Sequence, residues 1–215
     1  MDEQRVEVYF DSLRPDYLEY LNALEKEALR TEVPIIRRAT RDVLRYLLKT
    51  KKPARVLEVG TAIGYSALFM RHCLPETSKI TTIEKVEMRL VEARKNLGKY
   101  DETGQIELLE GDAVDVLQQL CEEGKTYDFI FMDAAKGQYI HWLPDILRLL
   151  SANGVLFSDN VLQDGDIIES RFAVERRNRT IHARMREYLY TLTHMPELQT
   201  SVVPIGDGVA LSVKR

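Results

Sequence analysis

Acidic, amide and amine side chains stand at the ends of two apolar stretches of the sequence. The stretch "FIFMDAAKGQY" ends its apolar part at Asp133, and Lys136 follows three residues later. A second stretch, "GVLFSDN", ends in Asp159 and Asn160. Two carboxylates and an amide oxygen form a hard ligand set that suits Mg²⁺ first, and also Mn²⁺ or Ca²⁺. An amine beside such a set can act as a general base if burial and the cation depress its pKa.

Each of these residues also has an ordinary structural explanation when it is taken alone. An aspartate at a strand end often caps a helix, "SDN" fits an Asx turn, and a loop lysine is usually solvated. All of them at the ends of neighbouring parallel strands are harder to explain in that way. The set therefore predicts a metal site with a base next to it.

A glycine loop, "VLEVGTAIGYS", joins an apolar run to a helical one through Gly60 and Gly64. Glycine lets the backbone approach a ligand closely, and a helix start presents free amides. The spacing is GxxxG, so the GxGxxG fingerprint of pyrophosphate-containing dinucleotides is missing. Glu84 ends the next predicted strand, where an acid commonly accepts hydrogen bonds from a ribose. Asp112, after the third, could accept from the amine of an adenine.

The same loop has a plainer interpretation. Gly60 and Gly64 could simply pack a helix on a sheet, and Asp112 could cap the helix that follows it. For Asp112 alone, the cap is at least as good an explanation. Taken together, the residues favour a nucleoside ligand without a pyrophosphate, and S-adenosylmethionine is such a ligand.

The elements that must position these residues alternate between short β-rich runs and helical runs. Alternation of this kind predicts parallel strands joined by right-handed helical crossovers, with ligands bound at the carboxyl ends of the strands. The predicted strands are 55–60, 79–84, 105–111, 127–134 and 154–160, and the predicted helices between them are 65–74, 86–100, 113–123 and 138–150.

Both ends of the chain depart from this alternation. The first fifty residues have helical periodicity, with "PDYLEYLNALEKEALR" and "PIIRRATRDVLRYLLKT" starting at Pro15 and Pro34. The last stretch, "LQTSVVPIGDGVALSVK", reads as two strands around a tight turn, hence an antiparallel hairpin. The predicted fold is α/β: a doubly wound, seven-stranded, mostly parallel sheet with N-terminal helices.

Length, charge and cysteine content set further limits. A chain of 215 residues suits one domain, 1–215. The net charge is −4, so a nucleic-acid partner would need a local basic patch. Cys73 and Cys121 fit no zinc motif and are predicted to be buried free thiols. With no apolar signal or membrane-spanning run, these features indicate a cytoplasmic protein without a membrane partner.

The segment from about Val33 to Lys214 resembles the cation-dependent O-methyltransferases, the family of catechol and caffeoyl-CoA O-methyltransferases. The resemblance is carried by "VLEVGTAIGYSAL", "TIE", "MDAAKGQY", "SDN" and "GDGVALS". It implies a Rossmann-like methyltransferase fold, S-adenosylmethionine as cofactor and a divalent cation. More narrowly, "VPIIRRATRDVL" and "PIGDGVALSVKR" are similar to the bacterial branch that methylates 5-hydroxyuridine at the tRNA wobble position.

The resemblance also implies roles for individual residues. Asp133, Asp159 and Asn160 match the metal ligands, and Lys136 matches the catalytic base. The residues predicted to contact the cofactor are Val33, Glu58, Gly60, Tyr65 and Ser66 around the methionine moiety, Glu84 at the ribose, Asp112 and Ala113 at the adenine, and Asp133 between cofactor and metal.

The expected reaction is methyl transfer to the hydroxyl of tRNA 5-hydroxyuridine, giving 5-methoxyuridine. The alternative is an O-methyltransferase of small catechol-like phenols, which share the two adjacent oxygens. A nicotinamide dehydrogenase is disfavoured by the missing GxGxxG, and a non-catalytic RNA-binding module gives no reason for the acidic set. By analogy with the family, a homodimer is expected.

Arginine clusters discriminate between the two methyl acceptors. On an acidic protein they suggest phosphate contacts, although a solvated helix face with glutamate partners is nearly as good an explanation. The two clusters are Arg171, Arg176, Arg177, Arg179, Arg184 and Arg186, and Arg37, Arg38, Arg41 and Arg45.

Overall fold

The computed structural model describes residues 3–14 and 17–215. Three helices precede the sheet: α1 (Glu3–Leu13), α2 (Glu19–Arg30) and α3 (Arg38–Lys51). The sequence predicted two helical stretches here, and α1 was not recognised as a separate helix. Residues 33–37 are not helical, so the second helix begins at Arg38 and not at Pro34 as predicted. Pro34 accounts for Val33, because a proline disfavours the helical conformation of the residue before it. Pro15, the predicted start of the first stretch, lies outside the described residues.

A seven-stranded sheet forms the centre of the molecule, in the order β3-β2-β1-β4-β5-β7-β6. The first five strands run parallel to their neighbours, and β7 pairs antiparallel with both β5 and β6. This confirms the doubly wound, mostly parallel sheet with a C-terminal hairpin. The strands are β1 (Arg55–Val59), β2 (Lys79–Glu84), β3 (Ile106–Glu110), β4 (Tyr127–Met132), β5 (Leu150–Ser158), β6 (Leu198–Val203) and β7 (Val209–Lys214).

Helices cover both faces of this sheet. The predicted crossover helices are confirmed, and a further helix lies in the arginine-rich stretch before the hairpin. They are α4 (Tyr65–Cys73), α5 (Glu87–Tyr100), α6 (Ala113–Glu122), α7 (Tyr139–Leu149) and α8 (Arg179–His194). No helix in the described part of the chain is long and apolar enough to cross a membrane.

The central strand β4 shows why the apolar runs are continuous. Phe129 and Phe131 pack into the core on one face of the sheet, with α3 and α4. Ile130 and Met132 pack into the core on the other face, with α6, α7 and α8. Because both faces are covered there, residues 129–132 are all apolar, whichever way they point.

The two cysteines differ in their surroundings. Cys73 is a buried free thiol, as predicted, and burial raises its pKa to about 11. Cys121 is also free, but it is only partly buried on α6, so the prediction of burial was wrong for this residue. Its half-exposed position follows from its place at the edge of the apolar face of α6.

The order of the strands reverses between β1 and β4, and this opens a crevice at their carboxyl ends. The loop after β1 crosses the end of β4 so closely that a Cβ on Gly60 would lie 2.2 Å from the Asp133 carbonyl oxygen. Gly60 also has φ +107°, which side chains rarely allow. Glycine at this position therefore lets the loop and the predicted metal-site strand end share one edge of the sheet.

Candidate active site

A cavity of about 970 Å³ opens at this edge of the sheet, between the loops that follow β1 to β5. Most of the residues predicted from the sequence line it. They are Gly60, Tyr65, Ser66, Glu84, Asp112, Ala113, Asp133, Lys136 and Asn160. Val33, Glu58 and Asp159 do not line the cavity. Val33 precedes the lining residue Pro34, whereas Glu58 and Asp159 are completely buried.

Glu84 connects two of the loops around the cavity. One carboxylate oxygen accepts a hydrogen bond from the Ala62 amide in the glycine loop, at 2.9 Å. The other accepts from the amides of Lys85 and Val86, both at 2.9 Å. The side chain is thus held in one orientation at the end of β2, where the sequence placed a ribose-binding acid.

Asp112 is the N-cap of α6, which was the plainer of its two interpretations. Its carboxylate accepts from the Val114 amide at 3.0 Å and pairs with the Lys85 amine at 2.9 Å. The Lys85 hydrogen bond, followed by the one from Val114, lowers the pKa of this carboxyl. The residue still lines the cavity beside Ala113, so capping the helix also fixes an acid at the cavity wall.

Glu58 lies beneath the glycine loop. Thr82 donates a 2.5 Å hydrogen bond to its carboxylate, and the Thr82 hydroxyl lies 2.6 Å from that of Thr61. Burial raises the pKa of Glu58 to about 7, although the Ser66 and Thr82 hydroxyls act in the opposite direction. The structure therefore places this carboxylate under the glycine loop, with no exposed surface of its own in the cavity.

Tyr65 and Arg41 join the cavity wall to the N-terminal helices. Arg41 is only 2% exposed, and its guanidinium donates to the Tyr65 hydroxyl and to Glu25, the latter at 3.2 Å. Its ring contacts include Tyr17, 4.4 Å from the guanidinium carbon to the ring centroid. Arg41 was among the candidate phosphate contacts, and this interpretation is wrong because the side chain is buried and paired.

The other arginines of that cluster also have carboxylate partners. Arg37 pairs with Asp164 at 2.6 Å, and Arg38 pairs with Glu25 at 2.7 Å. Arg45 lies 3.6 Å from Asp42. Arg37 and Arg38 thus connect the start of α3 to other segments, whereas the Arg45–Asp42 pair lies within α3 itself. These pairs compete with any phosphate contact by the cluster.

The acidic, amide and amine side chains predicted to form a metal site do come together. The Lys136 amine donates to Asp133 Oδ1 at 2.7 Å and to Asn160 Oδ1 at 2.8 Å. Burial by itself lowers the pKa of this amine, but Tyr139 and Asp133 outweigh burial and raise it. In the chain alone, Lys136 is thus an ammonium, opposite to the depressed pKa that a general base needs.

Asp159 is the deepest member of this group and is completely buried. Its Oδ1 accepts from the Asn160 amide at 2.8 Å. Within residues 3–14 and 17–215, its Oδ2 has no hydrogen-bond partner. Burial, and then the nearby Asp133 charge, raise the pKa of this carboxyl far above its ordinary range. An unpaired buried carboxylate oxygen is costly, and an oxygen-seeking cation at that point would satisfy it.

The oxygens of Asp133, Asp159 and Asn160 are the donor set that magnesium-like cations prefer, so these residues fit such an ion. Among the described residues, no three His, Cys, Asp or Glu side chains converge, so the Asn160 amide would have to supply a third ligand. Asn160 has a φ of +54°, a left-handed conformation that asparagine tolerates better than most residues.

Tyr139 is a site residue to which the sequence reasoning assigned no role. It is fully buried, and its hydroxyl donates to the Met132 carbonyl at 2.9 Å while lying 3.2 Å from the Lys136 amine. The Ala134 amide donates to the same hydroxyl at 3.2 Å. The sequence contained one signal for this contact, because Tyr139 follows Lys136 by three residues. A short 3-10 turn, Lys136–Gln138, brings the two side chains together.

Comparison with known proteins identifies the family. An O-methyltransferase family profile matches residues 12–215. The chain belongs to the O-methyltransferase family. This confirms the resemblance to the O-methyltransferases and the prediction that the protein is an O-methyltransferase enzyme.

Relatives of this O-methyltransferase cover bacteria, plants and fungi. A catechol O-methyltransferase of Niastella koreensis is 34% identical over 127 residues, which span 59% of this chain and 58% of that relative. Caffeoyl-CoA O-methyltransferase 2 of Populus trichocarpa is 32% identical over 176 residues, 78% of this chain and 70% of the relative. An S-adenosylhomocysteine-bound methyltransferase from Podospora anserina superposes with a TM-score of 0.85 at 26% identity, over 99% of this chain and 95% of that one.

Proposed function

We propose that the protein methylates the hydroxyl of 5-hydroxyuridine at the wobble position of tRNA, with S-adenosylmethionine as methyl donor and a divalent cation as cofactor. The observation that carries the chemistry is the convergence of the Lys136 amine with the Asp133 and Asn160 oxygens, at 2.7 and 2.8 Å, on the wall of the cavity. A hydroxyl becomes an effective nucleophile once its proton is removed, and this cluster joins a base candidate to a cation-binding set.

The cavity residues along β1 to β3 support the cofactor assignment. S-adenosylmethionine would supply a methyl group on a sulfonium. The Glu84 carboxylate is held by three amides and retains acceptor capacity for a ribose diol, since two carboxylate oxygens offer about four acceptor positions. Asp112 and Ala113 line the expected adenine side, and Gly60, Tyr65 and Ser66 line the expected methionine side.

Asp133, Asp159 and Asn160 would hold the cation, with Mg²⁺ favoured and Mn²⁺ or Ca²⁺ as alternatives. A divalent cation held there would lower the pKa of the substrate hydroxyl and orient it. The unpaired Asp159 Oδ2 supports this assignment, because its burial is otherwise uncompensated.

Lys136 would accept the proton of the substrate hydroxyl. As an ammonium, Lys136 is stabilised by the Asp133 and Asn160 oxygens. The same oxygens would bind the cation, so a bound cation and a protonated Lys136 compete for them. A cation on these oxygens would offset the Asp133 charge and repel the ammonium, so it would act in the same direction as burial and lower the pKa of Lys136 toward the neutral amine that a base requires.

The choice of tRNA depends on the second arginine cluster. Arg171 and Arg176 are exposed, and no hydrogen bond or ion pair is found for either within the described chain. The others are engaged: Arg177 pairs with Glu175 at 2.7 Å, whereas Arg179, Arg184 and Arg186 donate to backbone carbonyls. These two exposed arginines lie in the segment between the cavity-lining residues Asp166 and Asn178 and support contacts with phosphates, although they form a smaller patch than the sequence suggested.

A small catechol-like phenol is the second candidate acceptor. It offers the same pair of adjacent oxygens, and the relatives described above carry the names of catechol and caffeoyl-CoA methylation. Those names describe the relatives and do not establish the substrate of this chain. The ion pairs of the α3 arginines weaken the support for an RNA substrate.

We also propose that two copies associate through α1. This helix exposes Val8, Tyr9, Phe10 and Leu13, by 52–71% of their surfaces. Contiguous exposed apolar residues on one helix favour a protein–protein contact.

The first prediction concerns Asp159. Without a cation, its raised folded-state pKa means that the folded protein holds a proton that the unfolded chain releases between about pH 4 and neutrality. Wild-type stability should therefore fall over that interval as the pH rises. Asp159→Asn should remove this loss, so that in chelator it is more stable than wild type at pH 8 and equal to it near pH 4. Urea unfolding measures both values.

Wild type and Asp159→Asn also test whether a cation binds at Asp159. Mg²⁺ at about 100 times its dissociation constant should stabilise the wild type by about 2.7 kcal/mol and leave Asp159→Asn unchanged. Asp115→Asn, an exposed aspartate on α6, is the matched control and should respond like wild type. Equal stabilisation of Asp159→Asn by Mg²⁺ would remove this residue from the ligand set.

The second prediction concerns Lys136. Lys136→Ala should lower kcat by about 100- to 10,000-fold, the usual range for a general base. Raising the pH should restore part of the rate, because the substrate hydroxyl then ionises unaided. Lys125→Ala, at an exposed position, is the control. A rate within about twofold of wild type would exclude the role.

The third prediction concerns Arg171 and Arg176. Their replacement by alanine should raise the KM for tRNA and flatten the dependence of log Kd on log salt by up to about 2, since each neutralised phosphate contributes about 0.7–0.9. Lys26→Ala/Lys49→Ala removes the same charge from α2 and α3 and should leave the slope unchanged. Normal tRNA kinetics in the arginine variant would favour the phenol substrate.

The fourth prediction concerns assembly. Light scattering should give twice the 24.8 kDa chain mass for wild type and the single mass for Tyr9→Asp/Leu13→Asp. Both side chains are 61% exposed, so the substitutions should leave the fold intact. A monomeric wild type at micromolar concentration would contradict the proposal.

A further inference from the structure

The segment between Asn160 and α8 begins and ends at the rim of the cavity. Asp166 and Asn178 both line it, and Asn178 Nδ2 donates to Asp166 Oδ2 at 3.3 Å. The residues between them, 167–177, form what we call the rim loop. At its tip, Phe172 is 87% exposed, and Ile168 is 76% exposed.

The rim loop is held rigidly by side chains of α8. His182 Nε2 lies 3.1 Å from the Glu169 carbonyl, and Arg186 donates to the Ile167 carbonyl at 3.1 Å. Arg179 donates to the Val174 carbonyl at 3.2 Å and, at 3.5 Å, to that of Phe172 itself. Ile167 and Val174 are buried, at 5% and 3% exposure.

Phe172 therefore points to solvent from a loop that is otherwise anchored. No ring or cation–π contact with Phe172 occurs in the part of the chain that the structure describes. An anchored loop that starts and ends at the cavity wall and presents an unpacked aromatic ring has the form of a contact surface, because burying that ring against the protein would otherwise be favourable.

The charged residues around Phe172 indicate what kind of partner its ring contacts. The residues from Glu169 to Arg179 include four arginines and two glutamates, on a chain whose net charge is −4. One glutamate, Glu175, is paired with Arg177, whereas Arg171 and Arg176 are exposed. An exposed ring flanked by free arginines matches the aromatic-plus-cation surfaces on which single-stranded nucleic acids stack and bind their phosphates.

We propose that Phe172 is a stacking platform for a nucleobase next to the methylated one in a single-stranded RNA loop, with Arg171 and Arg176 on the adjoining phosphates. This inference rests on the proposed tRNA function. It assigns specificity for the RNA loop to residues of the rim loop. An unstacked target base in the cavity leaves its neighbour exposed, and the ring at the rim replaces the lost stacking partner.

The test uses the full chain and an anticodon stem-loop with 5-hydroxyuridine at the target position. The fluorescent base 2-aminopurine is placed on its 5′ side in one RNA and on its 3′ side in another. Binding of wild type and of Phe172→Trp should quench 2-aminopurine in at least one RNA, and Phe172→Ala should abolish the quenching. For Phe172→Ala, the KM for the stem-loop should rise about 5- to 150-fold, the equivalent of one base–aromatic stack.

Several readouts separate stacking from a structural role. The kcat of Phe172→Ala, its melting temperature and its KM for free 5-hydroxyuridine nucleoside should match wild type, because the ring is exposed and outside the cavity. Tyr46→Ala is the matched control: this aromatic on α3 is 67% exposed and should have no effect.

Four results would overturn the inference. Unchanged quenching and KM in Phe172→Ala, with wild type still methylating the stem-loop, would refute the platform and leave the proposed function standing. An equal rise in KM for the free nucleoside would make Phe172 a lid on the acceptor. Loss of binding to anionic phospholipid vesicles in Phe172→Ala, with RNA binding intact, would assign the ring to a membrane surface. Failure of wild type to bind or methylate the stem-loop would overturn the proposed function together with the inference.

Discussion

The close crossing of two backbone segments at Gly60 and Asp133 is the constraint on which the site depends. No side chain fits at residue 60, because a Cβ there would lie 2.2 Å from the Asp133 carbonyl oxygen. The crossing lies where the strand order reverses, so it brings the glycine loop of β1 against the acidic end of β4. The expected cofactor side and the expected metal side of the cavity are joined at this contact. A larger residue would have to separate them.

Concentrating carboxylates at one edge of a sheet has an electrostatic cost, and the chain offsets it in different ways. Glu84 is held by backbone amides, Asp112 by a helix N-terminus and Lys85, and Asp133 by the Lys136 ammonium. Asp159 and Glu58 are compensated least, and burial raises the pKa of both. Without ligands, burial thus favours the protonated forms of these two carboxyls and makes their ionisation unfavourable. Ligand binding can relieve this cost of ionisation, and this is the usual relation between strain at a site and its function.

The arginines show how the same residue type serves opposite purposes. Arg41 is buried among Glu25, Tyr65 and Tyr17, where it fixes the N-terminal helices to the cavity wall. Arg179 and Arg186 anchor the rim loop through its carbonyls. Of the two clusters, Arg171 and Arg176 are exposed with no ion pair or hydrogen bond in the described chain, and several others are engaged internally, so the count of arginines in the sequence overstated the basic surface. Charge counted along a chain does not distinguish an internal ion pair from an exposed cation.

The sequence by itself determined the strand and helix order, the antiparallel hairpin and the residues that meet at the carboxyl edge. These features follow from local rules: period, turn residues, and the geometry that places parallel strand ends together. Tertiary structure decided what depends on contacts between distant segments. It placed Glu58 behind the loop, buried Arg41, brought Tyr139 to Lys136, and raised the pKa of that amine where the sequence alone suggested a depressed one. Burial and pairing are properties of neighbours in space, and a pattern along one chain does not contain them.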